Sequence, residues 1–355
     1  MELIYDKNKK KNFLFDEIRA LAILFVILIH VSKWFAAAET PQSLYWCFSS
    51  FLAALGNIGV PLFLMISGAL LLNREFEFKD FFKRRFSRIF IPFVFWILII
   101  MIFKFTVMRY DFSLEEIFII TFKDGFVWFV WMLVGIYLFY PVINSYIQDF
   151  EMKGCEYFLT IWLFTMILYT LNIYPIPNLE LSYFAGYLGY FVLGYYLSNK
   201  KFKLKDEAMM KIGVLIFLLA LIGYIYCIYL QIDLHNYYYT IFPMFEAIGL
   251  YLFFRYRASF SENTNKKTFS SRLYFFIRDS KIGKAIFSIS ICSYGMFLTH
   301  YFPIWILRRI NWTIPIFIRN PFKWIPFMFI VCVVFSWGII YLFSKIPYLK
   351  EVSGI

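Results

Sequence analysis

Phe13-Leu14-Phe15-Asp16-Glu17-Ile18-Arg19-Ala20-Leu21-Ala22-Ile23-Leu24-Phe25-Val26-Ile27-Leu28-Ile29-His30 is an apolar run with four ionisable residues set into it. With the residues that follow it, 13–34, it is long enough to cross a bilayer, which takes about 20 mostly apolar residues. Similar runs recur at 48–72, 89–107, 126–146, 157–175, 182–198, 212–230, 238–254, 286–305 and 324–343. The run at 182–198 is short and carries Gly186, Gly189 and Gly194, as a tightly packed helix would. Over 355 residues the chain is 61% hydrophobic, 24% aromatic and only 16% charged, against about 25% charged in soluble domains. That composition excludes a disordered chain, a coiled coil, a collagen-like chain and an ordinary soluble enzyme. The sequence predicts an all-α polytopic membrane protein of about ten transmembrane helices. The helical domain would run over 13–343, between a cytoplasmic tail at 1–12 and another at 344–355.

Basic residues orient the spans. With the N-terminus inside, 26 Lys and Arg fall in inner segments and 8 in outer ones, the asymmetry expected of cytoplasmic loops. Arg308, Arg309, Arg319 and Lys323 run against it. They face an anionic substrate outside, or they are a tolerated exception. The net charge of +12 therefore reads as topology and not as nucleic-acid binding. Lys9–Lys11, the run Ala20–Ile29 and Ala36–Ala38 also resemble a signal peptide. Asp16, Glu17 and Arg19 ahead of the run, and His30 and Lys33 after it, argue against that. The longest polar stretch, 255–285, is too short for an independent domain, and Ser259–Arg272 within it reads as a flexible loop. Cys47, Cys155, Cys227, Cys292 and Cys332 form no close pair, which supports neither a zinc site nor a redox pair, so no metal is expected. The Asn311-Trp312-Thr313 sequon is ascribed to chance, and His235 reads as interfacial beside Tyr237–Tyr239.

Ionisable residues inside a span are costly and usually face the bundle interior or a wet cavity. Eleven residues from Arg19 to His30 turn through about 1,100°, so both lie on one face, about 16 Å apart. Asp16 is one turn before Arg19, close enough to pair. Glu17 points elsewhere and reads as interfacial. A guanidinium at Arg19 could hold an anion, and an imidazole at His30 could accept a proton. The competing reading is orientation: Asp16 and Arg19 pin the helix end while His30 bonds to a neighbouring helix.

Arg19-x10-His30 with Asp16 ahead of it resembles the first-helix signature of the membrane acyltransferase-3 family. Other stretches agree with the family in order. Pro61-Leu62-Phe63-Leu64-Met65-Ile66-Ser67-Gly68 resembles its second helix. Arg85-Phe86-Ser87-Arg88-Ile89-Phe90-Ile91-Pro92 resembles its Arg-x-x-Arg entry to the third. Val127-Trp128-Phe129 resembles its aromatic segment, and Tyr190-Phe191-Val192-Leu193-Gly194-Tyr195-Tyr196 its aromatic-glycine helix. Ser293-Tyr294-Gly295-Met296-Phe297-Leu298-Thr299-His300 is similar to its late Ser-Tyr-Gly to His pattern. The resemblance implies transfer of an acyl group, commonly acetyl from acetyl-CoA, to cell-surface or exported glycans or their lipid-linked precursors. The enzyme would then sit in the cytoplasmic membrane. Some family members carry a fused hydrolase-like domain. This chain ends about 12 residues past the last span and resembles the stand-alone members.

That chemistry needs a hydroxyl deprotonated, a thioester held and water kept out. Arg84, Arg85 and Arg88 could grip the phosphates of CoA from the cytoplasmic side, or act only as topological anchors. His30 could take the hydroxyl proton directly, or attack the thioester and carry the acyl group itself; both routes stay open. Asp16 lies about 21 Å from His30, too far for a triad, and would orient Arg19. Ser67 reads as helix packing or as site lining, and Trp128 as packing or as a stacking surface for sugar or adenine. Glu246, an acid inside a span, could pair with Arg19 or His30. His300 reads as a satisfied structural histidine or as a site residue. A transporter or flippase of a lipid-linked glycan is the rival function. It would share the intramembrane charges, but it makes no covalent product and needs no CoA. Strong internal repeats would favour it, and the sequence has none.

Overall fold

The computed structural model describes residues 12–108, 113, 115, 116, 118, 119, 127–173, 186–232, 237–264, 268–313 and 320–355. His235, Arg109, Lys123, Arg319, the start of the 182–198 run and the sequon side chains lie outside the described residues. Among the described residues there are helices and no strands. We number them α1 (Asn12–Ala38), α2 (Leu44–Gly56), α3 (Gly59–Leu71), α4 (Phe78–Thr106), α5 (Trp128–Thr170), α6 (Tyr187–Asn199), α7 (Asp206–Tyr229), α8 (Ile241–Thr264), α9 (Phe269–Asp279), α10 (Lys281–Thr299), α11 (Tyr301–Thr313) and α12 (Pro321–Phe343). Among the described residues seven helices are long and apolar enough to cross a membrane, with α2 and α3 together counted as one. This is an integral, multi-pass membrane protein.

Several predicted runs are longer or more broken than expected. The run at 48–72 divides at Asn57–Ile58, and the run at 286–305 divides at His300. Each division falls where Pro61 or Pro303 removes the donor that would meet the carbonyl four residues earlier. Pro92 and Pro326 lie inside unbroken helices, so proline permits a break without forcing one. The runs at 126–146 and 157–175 join as α5, whose 43 residues turn at Glu151, a non-helical residue with φ 49°. A straight helix of that length would be about 65 Å long, twice the bilayer core. Ser259–Thr264 and Thr268–Arg272 are not the flexible loop expected from their composition, and 265–267 lie outside the described residues. α8 carries on to Thr264, and α9 opens with a capping box in which Thr268 and Ser271 bond each other's backbone N–H. α9 buries Tyr274 and Phe275 and leaves Phe269, Leu273 and Phe276 exposed.

The chain forms two compact units. The first comprises residues up to Val26, then 54–73 and 146–290. Helices here approach until backbones touch. A Cβ at Gly213 would lie 2.7 Å from the Gly249 carbonyl, and one at Gly249 would lie 2.6 Å from that of Gly213, joining α7 to α8. A Cβ at Gly68 would overlap the Phe191 carbonyl, and one at Gly194 that of Met65, joining α3 to α6. Such close contact is how helices associate where lipid is as apolar as leucine.

The second unit comprises 27–53, 74–145 and 291–355. Its core includes Trp96, which stacks on Phe343 at 5.5 Å, and Phe103 and Phe302, whose rings are 5.1 Å apart. Segment 344–355, expected as a tail, folds back as short 3₁₀ turns: Trp96 Nε1 donates to the Val352 carbonyl at 2.9 Å, and Ser353 is buried.

Candidate active site around His30

His30 lies on α1, half-buried, within the second unit. The Tyr301 hydroxyl is 2.7 Å from His30 Nδ1 and 3.3 Å from Nε2. The ring of His300 is centred 5.2 Å from that of His30 and 4.5 Å from that of Tyr301. The break between α10 and α11 puts His300 and Tyr301 together at this point. His300 is fully buried, and its Nδ1 faces the Phe297 carbonyl at 2.7 Å and that of Met296 at 3.2 Å. Two carbonyls can only accept, so Nδ1 carries the proton and Nε2 is left as a lone-pair nitrogen. Nε2 is buried with no hydrogen-bond partner. The cluster therefore pairs a half-buried imidazole with a fully buried one whose Nδ1 faces two carbonyls.

An aromatic path adjoins it. Trp128, half-buried at the start of α5, packs edge-on against Phe129 at 6.2 Å. Phe129 lies 4.6 Å from Phe297, and Phe297 lies 5.9 Å from His300. Trp128 is thus two rings away from His300.

Arg84, Arg85 and Arg88 lie near the start of α4. Arg84 is exposed and bonded to Asp80 at 3.2 Å; Arg88 is exposed; Arg85 is half-buried, within electrostatic range of Tyr140. Among the described residues no contact joins these arginines to His30. Arg88 precedes Trp96 by eight residues, about 12 Å of helix. Trp96 in turn packs on Phe302 at 6.1 Å, one residue past Tyr301.

The first unit holds the other candidates. Asp16 accepts a 2.7 Å hydrogen bond from the Ser290 hydroxyl, and Arg19 is half-buried one turn on. Glu17 is not interfacial, as its turn away from the Arg19–His30 face suggested. It is buried and paired with Arg257, whose guanidinium lies over Phe254 at 4.9 Å and Tyr274 at 5.4 Å. The Ser67 hydroxyl donates to the Phe63 carbonyl at 2.9 Å within its own helix. Glu246 is buried, within electrostatic range of the Tyr190 and Tyr224 hydroxyls.

Sequence reasoning missed Tyr301, Ser290 and Arg257. Tyr301 had a signal, since it directly follows His300 at a break that Pro303 permits. Ser290 and Arg257 had none beyond being polar residues near apolar runs.

Among the described residues the fold is helical, with helices long and apolar enough to cross a membrane and a polar cluster around His30, which defines a multi-pass membrane protein. The profile of the acyltransferase-3 family, an acyltransferase domain, matches residues 14–341, and the chain belongs to that family. It is a membrane acyltransferase. No match was found among curated proteins or among solved structures.

Proposed function

We propose that this protein moves an acyl group, acetyl, from cytoplasmic acetyl-CoA to a hydroxyl of a cell-surface or exported polysaccharide or of its lipid-linked precursor. We further propose that it crosses the cytoplasmic membrane ten times, with the start of α1 and the end of α12 on the cytoplasmic side. The turn at Glu151, which splits α5 into two arms, supports the count, and the placement of Lys and Arg supports the orientation.

His30 is the general base. It takes the proton from the acceptor hydroxyl as that oxygen bonds to the thioester carbonyl carbon. The carbon–sulfur bond then breaks, and CoA leaves as a thiolate that takes up a proton. Tyr301 holds the imidazole, and His300 closes the site behind it. Arg84, Arg85 and Arg88 are assigned to the donor's phosphates. Arg19 is assigned to anion binding, with Asp16 to orient it.

The observation that carries this reading is the half-open His30 imidazole, bonded to Tyr301 beside a tautomer-fixed His300, in a chain of this family. The test is label transfer from radiolabelled acetyl-CoA in membranes holding wild type, His30→Ala or Arg19→Ala, with native glycan extract as acceptor. Label should enter glycan with wild type and not with His30→Ala at equal protein levels. If no fraction takes label while lipid-linked glycan reaches the outer face only with wild type, the protein is a transporter and the proposal fails.

A further inference from the structure

His30 and Trp34 are one turn apart on α1, so they share a face. Tyr301 and Arg308 are seven residues apart on α11, within about 20° of each other and about 10.5 Å along the axis. Two rungs join these faces within the second unit. Tyr301 reaches His30 at 2.7 Å, and the Arg308 guanidinium lies over the Trp34 ring at 5.4 Å. The long arginine side chain makes up the difference in rise. Lys33, next to Trp34, and Arg308 both lie within electrostatic range of His30.

Lys33 is exposed, but Arg308 is half-buried and lacks what a buried charge normally has. Among the described residues no carboxylate pairs with Lys33 or Arg308, and Arg308 Nε is buried with no hydrogen-bond partner. Cytoplasmic anchoring does not account for them, because both belong to the minority of basic residues assigned to the outer side. The donor's phosphates do not account for them either. α4 runs from Arg84, Arg85 and Arg88 past Trp96, level with Phe302, to Phe103, whose ring stacks on Trp305 at 6.1 Å. The α4 arginines therefore lie to one side of the histidine pair along this unit, and Lys33 and Arg308 lie to the other. A guanidinium resting on an indole keeps its edge donors free for a carboxylate or phosphate.

We propose that Lys33 and Arg308 form an anion subsite beside His30 that holds an acidic group of the acyl acceptor. That group is a carboxylate on the glycan or the phosphate of its lipid carrier. The inference rests on the acyltransferase reading above and narrows its acceptor to an acidic one.

The test is binding to purified protein in detergent, without turnover. The probes are a neutral trisaccharide, the same trisaccharide bearing a uronic acid, the neutral trisaccharide on a polyprenyl phosphate, and CoA. Wild type should hold one of the acidic probes about tenfold more tightly than the neutral one, the scale of one charge-assisted contact. Whichever acidic probe it is identifies the source of the charge. Arg308→Gln should abolish that preference and leave neutral trisaccharide and CoA unchanged, while Arg308→Lys should keep part of it. If Arg308→Gln does not fold, Lys33→Gln is judged by the same criteria. No preference in wild type, equal weakening of every saccharide, or a loss confined to CoA would each overturn the subsite. A protein that shows the preference yet never transfers label keeps the subsite and loses the transfer reading. One that labels neutral glycan with no preference does the reverse.

Discussion

Tyr301 and His30 are 271 residues apart in sequence, yet the phenol oxygen of one lies 2.7 Å from a ring nitrogen of the other. If the hydroxyl holds the imidazole ready to take a proton, removing it should slow transfer without weakening donor binding. Tyr301→Phe keeps the ring and deletes the oxygen. Its kcat should fall about 100-fold, the lower range of a general acid–base contribution, with KM for acetyl-CoA unchanged. His30 should also react with diethyl pyrocarbonate at a different rate in the variant, a change that mere structural support would not produce. Equal kcat in the two proteins would remove Tyr301 from the mechanism.

The α3–α6 contact makes a sharp prediction about side-chain size. Gly194→Ala puts a methyl into the Met65 carbonyl, and overpacking of this kind costs about 1–3 kcal/mol. Gly135→Ala is the control. Its Cβ meets nothing within 4 Å, and alanine favours a helix by about 0.5–1 kcal/mol. Thermal unfolding in detergent should show a lowered Tm for Gly194→Ala and an equal or raised Tm for Gly135→Ala.

Glu17 and Arg257 should behave as one unit. Glu17→Gln alone leaves a guanidinium unpaired among Phe254 and Tyr274, and breaking a buried pair costs about 3–5 kcal/mol. Adding Arg257→Met should restore most of that loss. A double-mutant cycle on Tm measures the coupling, and additive losses would show that the two do not interact.

The proposed orientation can be read by labelling intact cells with an impermeant maleimide. In a background with all five cysteines replaced by serine, Gln42→Cys should label from outside. Leu204→Cys, on an exposed position between α6 and α7, should label only after permeabilisation. The opposite pattern would invert the topology.

How much of this was legible in the sequence depended on the range of the signal. The apolar runs announced most helices because length and composition are local. The Arg19–His30 stripe was visible because both residues lie on α1. The breaks at Asn57 and His300 were less visible, since a proline three or four residues on permits a break and Pro92 shows that it need not cause one. α9 was hidden by its serines and basic residues, although Thr268 and Ser271 together cap it. Glu17 was misplaced because its partner lies 240 residues away, and no periodicity carries that far.

The pairing of Glu17 with Arg257 also bears on how the protein is made. α1 carries Asp16, Glu17 and Arg19, a poor set for lateral release into lipid. The counter-charge for Glu17 is synthesised 240 residues later, about 12–48 s at ordinary elongation rates. Ser290, the partner of Asp16, follows later still. Until then α1 has to wait beside the insertion machinery or at the membrane surface. Biogenesis of this protein therefore secures α1 only after its distant partners have been made.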